Sequence, residues 1–480
     1  CERKEWGKIL SAGNRLATTQ TYPMKPSSRR RETTGWARYP RASCYLFRPE
    51  RVREVAEVLQ HGGMSSYLPR GLGRAYGDAA LNSEQGVLLM ERLDRYLDFD
   101  KETGLLRCEG GVALADIIAT FLPRGWFLPV TPGTKFCTVG ACVACDVHGK
   151  NHHHDGSLGN FVRSLTLLLP GGETVCCSRE QNSELFYATV GGMGLTGIIL
   201  EVELQLRRVE TAWIVVDYVR TRDLDDTLNT FHERDANYLY SVAWLDCVAQ
   251  GRGFGRGVLM FGRHAGAGEL PTAQRQNPFG IPRKRDKKLP LDVPEFVLNP
   301  LSLRVFNNLY YATHPARDSV LVDYNTYFYP LDSILQWNRA YGKRGFVQWQ
   351  CVLPYENGVK SLENILRLAQ QRHAFPFLSV LKRMGEQSGG MLSFPMPGYT
   401  IALDFPVRRG LFEVLNELDA IVLEAGGRLY LAKDARMSAE TFHATYPLLP
   451  RWREVKAHVD PQGLLQSDLA RRLRLVEADK

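Results

Sequence analysis

The 480-residue sequence predicts an α+β fold, and three observations carry that reading. Helical and strand-like periodicities both occur in the first two hundred residues, but without the strict alternation that builds a doubly wound parallel sheet. The middle of the chain is rich in aromatic residues, among them Trp244, Tyr324, Tyr327, Phe328, Tyr329, Trp337, Trp349 and Phe377, with strand-like pieces such as Phe346 to Val352. Hydrophobic residues make up 44% and charged residues 23%, the balance of a folded globular chain, which excludes a collagen, a mucin-like stalk or a disordered acidic tail.

The elements follow in chain order. Val52, Val55, Ala56 and Leu59 recur at helical spacing and predict an amphipathic helix over 48–60. Arg70-Gly71-Leu72-Gly73-Arg74-Ala75-Tyr76-Gly77-Asp78 is too rich in glycine for a helix and too polar for a buried strand, so it reads as a ligand loop. Val87 to Met90 suits a short strand, and Leu114, Ile117, Ile118 and Phe121 the apolar face of a second helix. The Gly- and His-rich stretch 132–160 has little periodicity and predicts a functional loop system. Beyond it, 165–169 and 173–177 read as strands joined by Pro170-Gly171-Gly172, 183–189 as a short helix, and 198–206 as another strand.

In the 346–352 strand, alternation puts Gln348 and Gln350 on one face; a solvated face and a pocket wall both fit. The basic run from Arg283 to Lys288, with the Pro-interrupted apolar run 289–311 after it, predicts a mobile flap, either merely solvated or in peripheral contact with a membrane.

Sixty Lys and Arg against 52 Asp and Glu leave a formal charge of +8, too modest without clustering for a nucleic-acid binder; an anionic small ligand or lipid phosphate fits better. No window approaches the ~18 apolar residues of a membrane-spanning helix. Cys1 in place of Met suits a truncated sequence better than a cleaved lipoprotein start, and 1–34 holds no apolar run like a secretion signal. Ten irregularly spaced cysteines suggest reduced cytosolic thiols. Cys142, Cys145, His148 and His152 spell C-x2-C-x2-H-x3-H, a possible zinc set, but Ala141, Val143 and Ala144 between and beside them suit buried packing, and no metal is expected.

Glycines without a Cβ let backbone N–H groups approach a diphosphate. Three groups could do so: Gly71, Gly73 and Gly77; Gly133, Gly140, Gly149 and Gly156; and Gly191, Gly192, Gly194 and Gly197. Together they predict a large nucleotide cofactor. NAD and ATP rank lower, because neither the strand–GxGxxG–helix context nor a GxxxxGK[ST] loop occurs.

The 70–78 loop, Pro132-Gly133-Thr134, and the segment from Glu184-Leu185-Phe186 to Gly197-Ile198 resemble the FAD-cradling segments of the vanillyl-alcohol oxidase / p-cresol methylhydroxylase superfamily. Ala144-Cys145-Asp146-Val147-His148-Gly149-Lys150-Asn151-His152-His153, Trp337 to Gly342, Leu392-Ser393-Phe394-Pro395 and Gly427 to Asp434 are similar to its branch that oxidises polyprenyl-phosphate sugars. The resemblance runs from about Gly35 to Leu473. It implies an FAD-binding domain at 23–206, a substrate domain on an antiparallel sheet at 207–425, and a segment at 426–475 returning to the first domain.

The implied reaction is oxidation of a ribosyl 2′-hydroxyl on a polyprenyl phosphate to the ketone. A separate NAD(P)H-dependent keto-reductase would then complete an epimerisation to the arabinose form used in a bacterial cell-envelope glycan. The protein would be cytoplasmic or peripherally bound to a membrane. A soluble aldonolactone or alditol oxidase of the same superfamily is the alternative; a zinc-binding regulatory protein is a third reading.

By the same resemblance Lys433, His148 and Tyr76 are the catalytic candidates, with Lys433 holding or deprotonating the sugar hydroxyl or, alternatively, only pairing with Asp434. Cofactor contacts are implied for Arg70, Gly71, Leu72, Gly73, Arg74, Ala75, Tyr76, Gly77, Asp78, Pro132, Gly133, Thr134, Thr138, Gly140, Ala141, Cys145, His148, Gly149, Asn151, His152, Gly194, Gly197, Ile198 and Tyr430. Substrate contacts are implied for Lys150, Gln348, Gln350, Lys382, Thr400, Ala402 and Lys433. Two departures stand out. Arg74-Ala75 replaces the histidine that many relatives bond to the flavin, which implies noncovalent FAD. Ala402 and Thr400 replace a cysteine and an asparagine of the nearer relatives, which implies that nitroaromatic inhibitors trapped by that cysteine would not be held covalently.

Overall fold

The computed structural model describes residues 26–282 and 287–476. Cys1 and the run Arg283–Asp286, on which two of the readings above rest, lie outside the described residues.

Three sheets organise the chain. Arg41–Phe47, Gly86–Leu89 and Tyr67–Arg70 pair in parallel, with Arg29–Thr34 antiparallel at the edge. The Val52–His61 helix makes the crossover between the first and last of those parallel strands; of the predicted stripe it buries Val55 and Leu59, with Val58 beside them, while Val52 and Ala56 are half-buried. A second, wholly antiparallel sheet runs in the order Tyr96–Phe99, Leu105–Glu109, Ile198–Gln205, Val162–Leu168, Thr174–Ser178.

The third sheet has eight strands, all antiparallel: Arg317–Asp323, Trp213–Thr221, Gly257–His264, Tyr240–Leu245, Leu378–Met384, Gly398–Pro406, Phe346–Pro354 and Arg428–Leu429. Its two faces differ. Along Phe346–Pro354, Trp349 donates its indole N–H to Asp419 on the Leu411–Glu424 helix at 2.8 Å, whereas the alternating Gln348 and Gln350 line a cavity on the opposite side. The solvated-face reading of these amides therefore does not hold: both residues are buried. The Tyr355–Gln371 helix covers the same side as Leu411–Glu424 through Leu362, Ile365, Leu366 and Ala369.

Arg428–Leu429 still belongs to this large sheet, so the chain turns back to the first two sheets only after it. It does so through Trp452, whose indole N–H donates to Ala188 O at 3.0 Å, through Leu464, whose carbonyl accepts from Tyr67 N at 2.7 Å, and through Arg472, which reaches Asp78. The α+β class follows from these layers.

The apolar run after the basic segment is not a loose flap. Most of it forms the Pro300–Thr313 helix, capped by Asn299 and latched to the large sheet. Asn307 donates to Asp246 at 2.7 Å, Asp246 also receives Arg256, and Tyr311 donates to Thr221 O at 3.0 Å. The outer face of the helix leaves Leu301, Val305 and Leu309 exposed, and Leu291 and Phe296 before it are exposed too.

Candidate active site

A single cavity of about 670 Å³ lies between the glycine loops and the open face of the eight-stranded sheet. The stretch read as a functional loop system, 132–160, helps to build it but contains two short helices, Val139–Ala144 and His152–Asp155. Thr138 caps the first, accepting from Ala141 N, and its hydroxyl is where a Cβ on Gly71 would fall, at 2.2 Å. That contact explains why only glycine fits at 71. At Gly73, φ is +64°, and a Cβ would lie 2.2 Å from the Arg70 guanidinium, which is pinned by Ala80 O and Thr34 O.

Of the residues implied for cofactor and substrate, most line this cavity: Arg70 to Tyr76, Pro132, Gly133, Thr134, Thr138, Gly140, Ala141, Cys145, His148, Gly149, Lys150, Gly194, Gly197, Gln348, Gln350, Lys382, Ala402, Tyr430 and Lys433. Six do not, and each has a local reason. Gly77 lies against the turn that carries Lys433, a Cβ there falling 1.7 Å from Asp434 O, and Asp78 is buried in an ion pair with Arg472. Asn151 donates to Pro129 O, His152 accepts from Gly385 N, and Ile198, in the second sheet, is buried in the apolar cluster shared with Phe47, Tyr67 and Leu88 of the first. Thr400 stands behind Gln350 and reaches it at 3.1 Å.

Lys433 sits in a turn after Arg428–Leu429, not at a strand end, and its Nζ lies 3.5 Å from the centroid of the Tyr76 ring. Tyr76 N donates to Ala432 O at 2.9 Å, so the first glycine loop and the lysine turn are held together. The pairing of Lys433 with Asp434 does not form: Asp434 instead meets Arg472 at 2.8 Å, and Arg472 also binds Asp78. Arg472 thus ties both loops, a role its position near the end of the sequence gave no reason to suspect.

Burial lowers the Lys433 ammonium to about 7, the negative charge of Asp404 opposing and Lys382 adding to the shift. Burial likewise lowers Lys382 to about 8, and burial with Lys382 lowers Lys150 to about 7. None of the three has a carboxylate within 4 Å among the described residues; Lys150 donates to Tyr327 O. His148 is buried and held neutral, its ordinary value depressed by burial and by Lys382. Gln350 Nε2 lies 3.1 Å from His148 Nε2. Asp404, missed in the sequence although it shares the strand face of Thr400 and Ala402, accepts from Gln348 at 2.5 Å and Tyr341 at 3.0 Å.

The zinc reading finds no support in the geometry. Cys142 Sγ points to Cys137 at 3.3 Å, and among the described residues no group of three or more His, Cys, Asp or Glu is placed to hold a metal.

Comparison with known proteins now bears on the whole chain. The FAD binding domain family matches residues 44–178, and the D-arabinono-1,4-lactone oxidase family matches 345–473. Decaprenylphosphoryl-beta-D-ribose oxidase of Mycolicibacterium smegmatis is 40% identical over 428 residues, 88% of this chain and 92% of the relative. The chain belongs to the decaprenylphosphoryl-β-D-ribose oxidase family. As a member it is an FAD-dependent oxidoreductase. An uncharacterized protein of Streptomyces coelicolor is 35% identical over 75% of this chain and 99% of its own length, whereas L-gulonolactone oxidase of Bos taurus is 30% identical over only 35% of this chain and 39% of the relative.

The residues present fit FAD. The glycine loops from three separate parts of the chain meet at one cavity, a Cβ at Gly133 would meet nothing within 4 Å, and the buried Nδ1 of His148 has no partner in the chain. Backbone N–H groups of the 71–75 loop would hold the diphosphate end. His148 and Tyr430, with ring centroids 5.1 Å apart, stand beside the lysines.

Proposed function

We propose that the protein oxidises the 2′-hydroxyl of a ribose carried on a polyprenyl phosphate, giving the 2′-keto sugar. The observation that carries this reading is the grouping of three amines, Lys150, Lys382 and Lys433, none with a carboxylate within 4 Å among the described residues, in a cavity whose far wall is apolar. Trp244, Tyr310, Phe306 and Phe377 line that wall; Trp244 and Tyr310 are 4.6 Å apart by ring centroid, Phe306 and Phe377 5.7 Å. Amines suit a phosphate and the aromatic passage suits a lipid chain; a free aldonolactone needs neither.

FAD, when bound, supplies the hydride acceptor for the carbinol carbon. Lys433 handles the hydroxyl proton: as a neutral amine it takes the proton, and as an ammonium it steadies the developing alkoxide. Tyr76, under the Lys433 amine, fixes the direction of that side chain by a cation–π contact. Gln348 and Gln350 orient the sugar, and the sheet behind them excludes water. The ketone is reduced by a separate NAD(P)H-dependent enzyme, which completes epimerisation to arabinose for a bacterial envelope glycan. Adding a polyprenyl-phosphoribose to the yellow protein under anaerobic conditions is expected to bleach the flavin absorbance; bleaching by an aldonolactone and not by the sugar lipid would assign the aldonolactone activity instead.

Arg74 and Ala75 occupy the loop where relatives carry the flavin-bonded histidine, and the Arg74 guanidinium lies 3.9 Å from the Trp36 ring centroid. FAD is therefore held without a covalent bond. Acid precipitation is expected to move all yellow colour into the supernatant; colour retained in the pellet would contradict it.

Peripheral membrane contact belongs to the same reading. Among the described residues no helix is long and apolar enough to cross a bilayer, while Leu291, Phe296, Leu301, Val305 and Leu309 are exposed next to the basic Lys287 and Lys288. Each basic residue near an anionic surface contributes about 1 kcal/mol. Neutralising Arg283, Lys284, Arg285, Lys287 and Lys288 together is expected to reduce partitioning onto phosphatidylserine vesicles at least ~10-fold in a sedimentation assay. Unchanged partitioning would make this segment ordinary solvated surface.

A further inference from the structure

The open face of the large sheet carries two amides, Gln348 and Gln350, whose direction is decided from behind. Strand register sets Gln348 opposite Asp404 and Gln350 opposite Ala402, with Thr400 one alternate position along. All of these residues except Ala402 are buried, Thr400 completely.

The hydroxyl of Thr400 lies 2.8 Å from Cys351 O. A carbonyl oxygen only accepts, so the single hydroxyl proton is spent there, and toward Gln350 Thr400 offers lone pairs alone. The Gln350 atom 3.1 Å from Thr400 Oγ1 must then be the NH2 nitrogen. That same nitrogen lies 3.1 Å from His148 Nε2 and brings its second hydrogen to it. His148 Nε2 is therefore the lone-pair nitrogen of a neutral imidazole, and the ring proton resides on Nδ1.

The logic at Gln348 is parallel. An ionised Asp404 only accepts, so the Gln348 group 2.5 Å from its oxygen is again the NH2; the other carboxylate oxygen receives Tyr341 at 3.0 Å. Among the described residues the side-chain hydrogen bonds of both glutamines run through the NH2 nitrogen and none through the oxygen, and both residues line the cavity.

We propose that Thr400 and Asp404 are positioning residues that set the polarity of this wall. They turn the carbonyl oxygens of Gln350 and Gln348 into the cavity as a pair of acceptors for substrate hydroxyl groups, and Thr400, through Gln350, fixes the His148 proton on Nδ1. The acceptor pair rests on the reading of the substrate as a sugar; the His148 tautomer does not. A pair of adjacent acceptors fits a donor pair such as neighbouring sugar hydroxyls. The Nδ1–H left without an acceptor in the chain is then a donor reserved for a bound group.

The test uses the FAD-loaded protein labelled with 15N-histidine, the resonances of His148 being assigned by their loss in His148→Gln. Long-range proton–nitrogen spectra distinguish the protonated from the lone-pair nitrogen. Thr400→Val keeps the shape but removes the acceptor, so the Gln350 amide is free to turn and the proton is expected to move at least partly to Nε2. Thr400→Ser keeps the hydroxyl and is expected to preserve the wild-type pattern, which separates loss of the hydrogen bond from loss of fold. On the reaction, Thr400→Val and Asp404→Asn are each expected to raise KM for the sugar lipid about 10-fold while Thr400→Ser changes it less than about twofold.

A wild-type spectrum with the proton on Nε2, or an unchanged His148 spectrum in Thr400→Val, overturns the proposal. A protein that shows the expected spectra but turns over no polyprenyl-phosphoribose leaves the polarity of the wall standing and removes the substrate reading instead.

Discussion

Replacing Lys433 by alanine is expected to leave FAD bound with its ordinary yellow spectrum and to slow bleaching of that spectrum by the sugar lipid by roughly 10²–10⁴. Lys433 reaches the cavity from a turn whose backbone is fixed independently of the side chain: Ala432 O receives Tyr76 N, and Asp434 N returns to Tyr430 O at 3.0 Å. Removing the amine therefore deletes one proton-handling group and leaves the glycine loops in place. General acid–base groups of this kind contribute roughly 10²–10⁴ in rate. Stopped-flow traces at 450 nm would show the rate constant for bleaching falling by about that factor in Lys433→Ala, with partial recovery on adding a small primary amine. Bleaching at the wild-type rate would remove Lys433 from the chemistry, and loss of colour from the purified variant would move it to cofactor binding.

The contrast between Lys433 and its neighbours shows what was legible in the sequence and what was not. Val55, Leu59, Ile117 and Ile118 stood out because a helix with one buried face repeats its apolar residues every three or four positions, and the structure buries Val55, Leu59, Ile117 and Ile118 as expected. The helices within 132–160 escaped notice for the opposite reason. With six and four residues they are too short to show a period, and one depends on a cap from Thr138. Trp213–Thr221 gave no alternation because it is covered on both faces over much of its length.

Partners far apart in sequence were hidden altogether. Arg472 reaches Asp78 across 394 positions and Asp404 reaches Gln348 across 56, distances over which periodicity carries no information. The glycine loops were readable because glycine marks a backbone constraint wherever it occurs; the residues that hold those loops together were not, because an arginine or aspartate looks the same whether it is solvated or buried in a pair. The Lys433–Asp434 pairing failed on this point: adjacency in sequence suggested it, and Arg472 displaced it.

The stability of the substrate-free protein is expected to rise between pH 7 and about 8.5, where most proteins change little. An ordinary lysine titrates near 10.4. In the folded chain Lys150 and Lys433 lie at about 7 and Lys382 at about 8, chiefly because burial disfavours the charged form. Across this window the unfolded chain therefore holds protons that the folded chain has released, and stability increases with pH by about 1.4 kcal/mol per unit for each lysine neutral only in the folded state. The gain is fully present above the unfolded value and is lost as pH falls through the folded values. Above about 8.5 the unfolded thiols begin to ionise while the folded chain keeps Cys108, Cys145 and Cys247 protonated, burial pushing each up to about 12, so the slope there is opposed. Urea midpoints at pH 7.0 and 8.5 would measure the rise, and Lys150→Met should lose one lysine's share of it. Equal slopes in the two proteins would show that Lys150 keeps its charge in the folded state. Lys150 and Lys382, given a phosphate between them, regain their protons, so anionic substrate should bind with proton uptake and its affinity should weaken over the pH range in which the empty protein grows more stable.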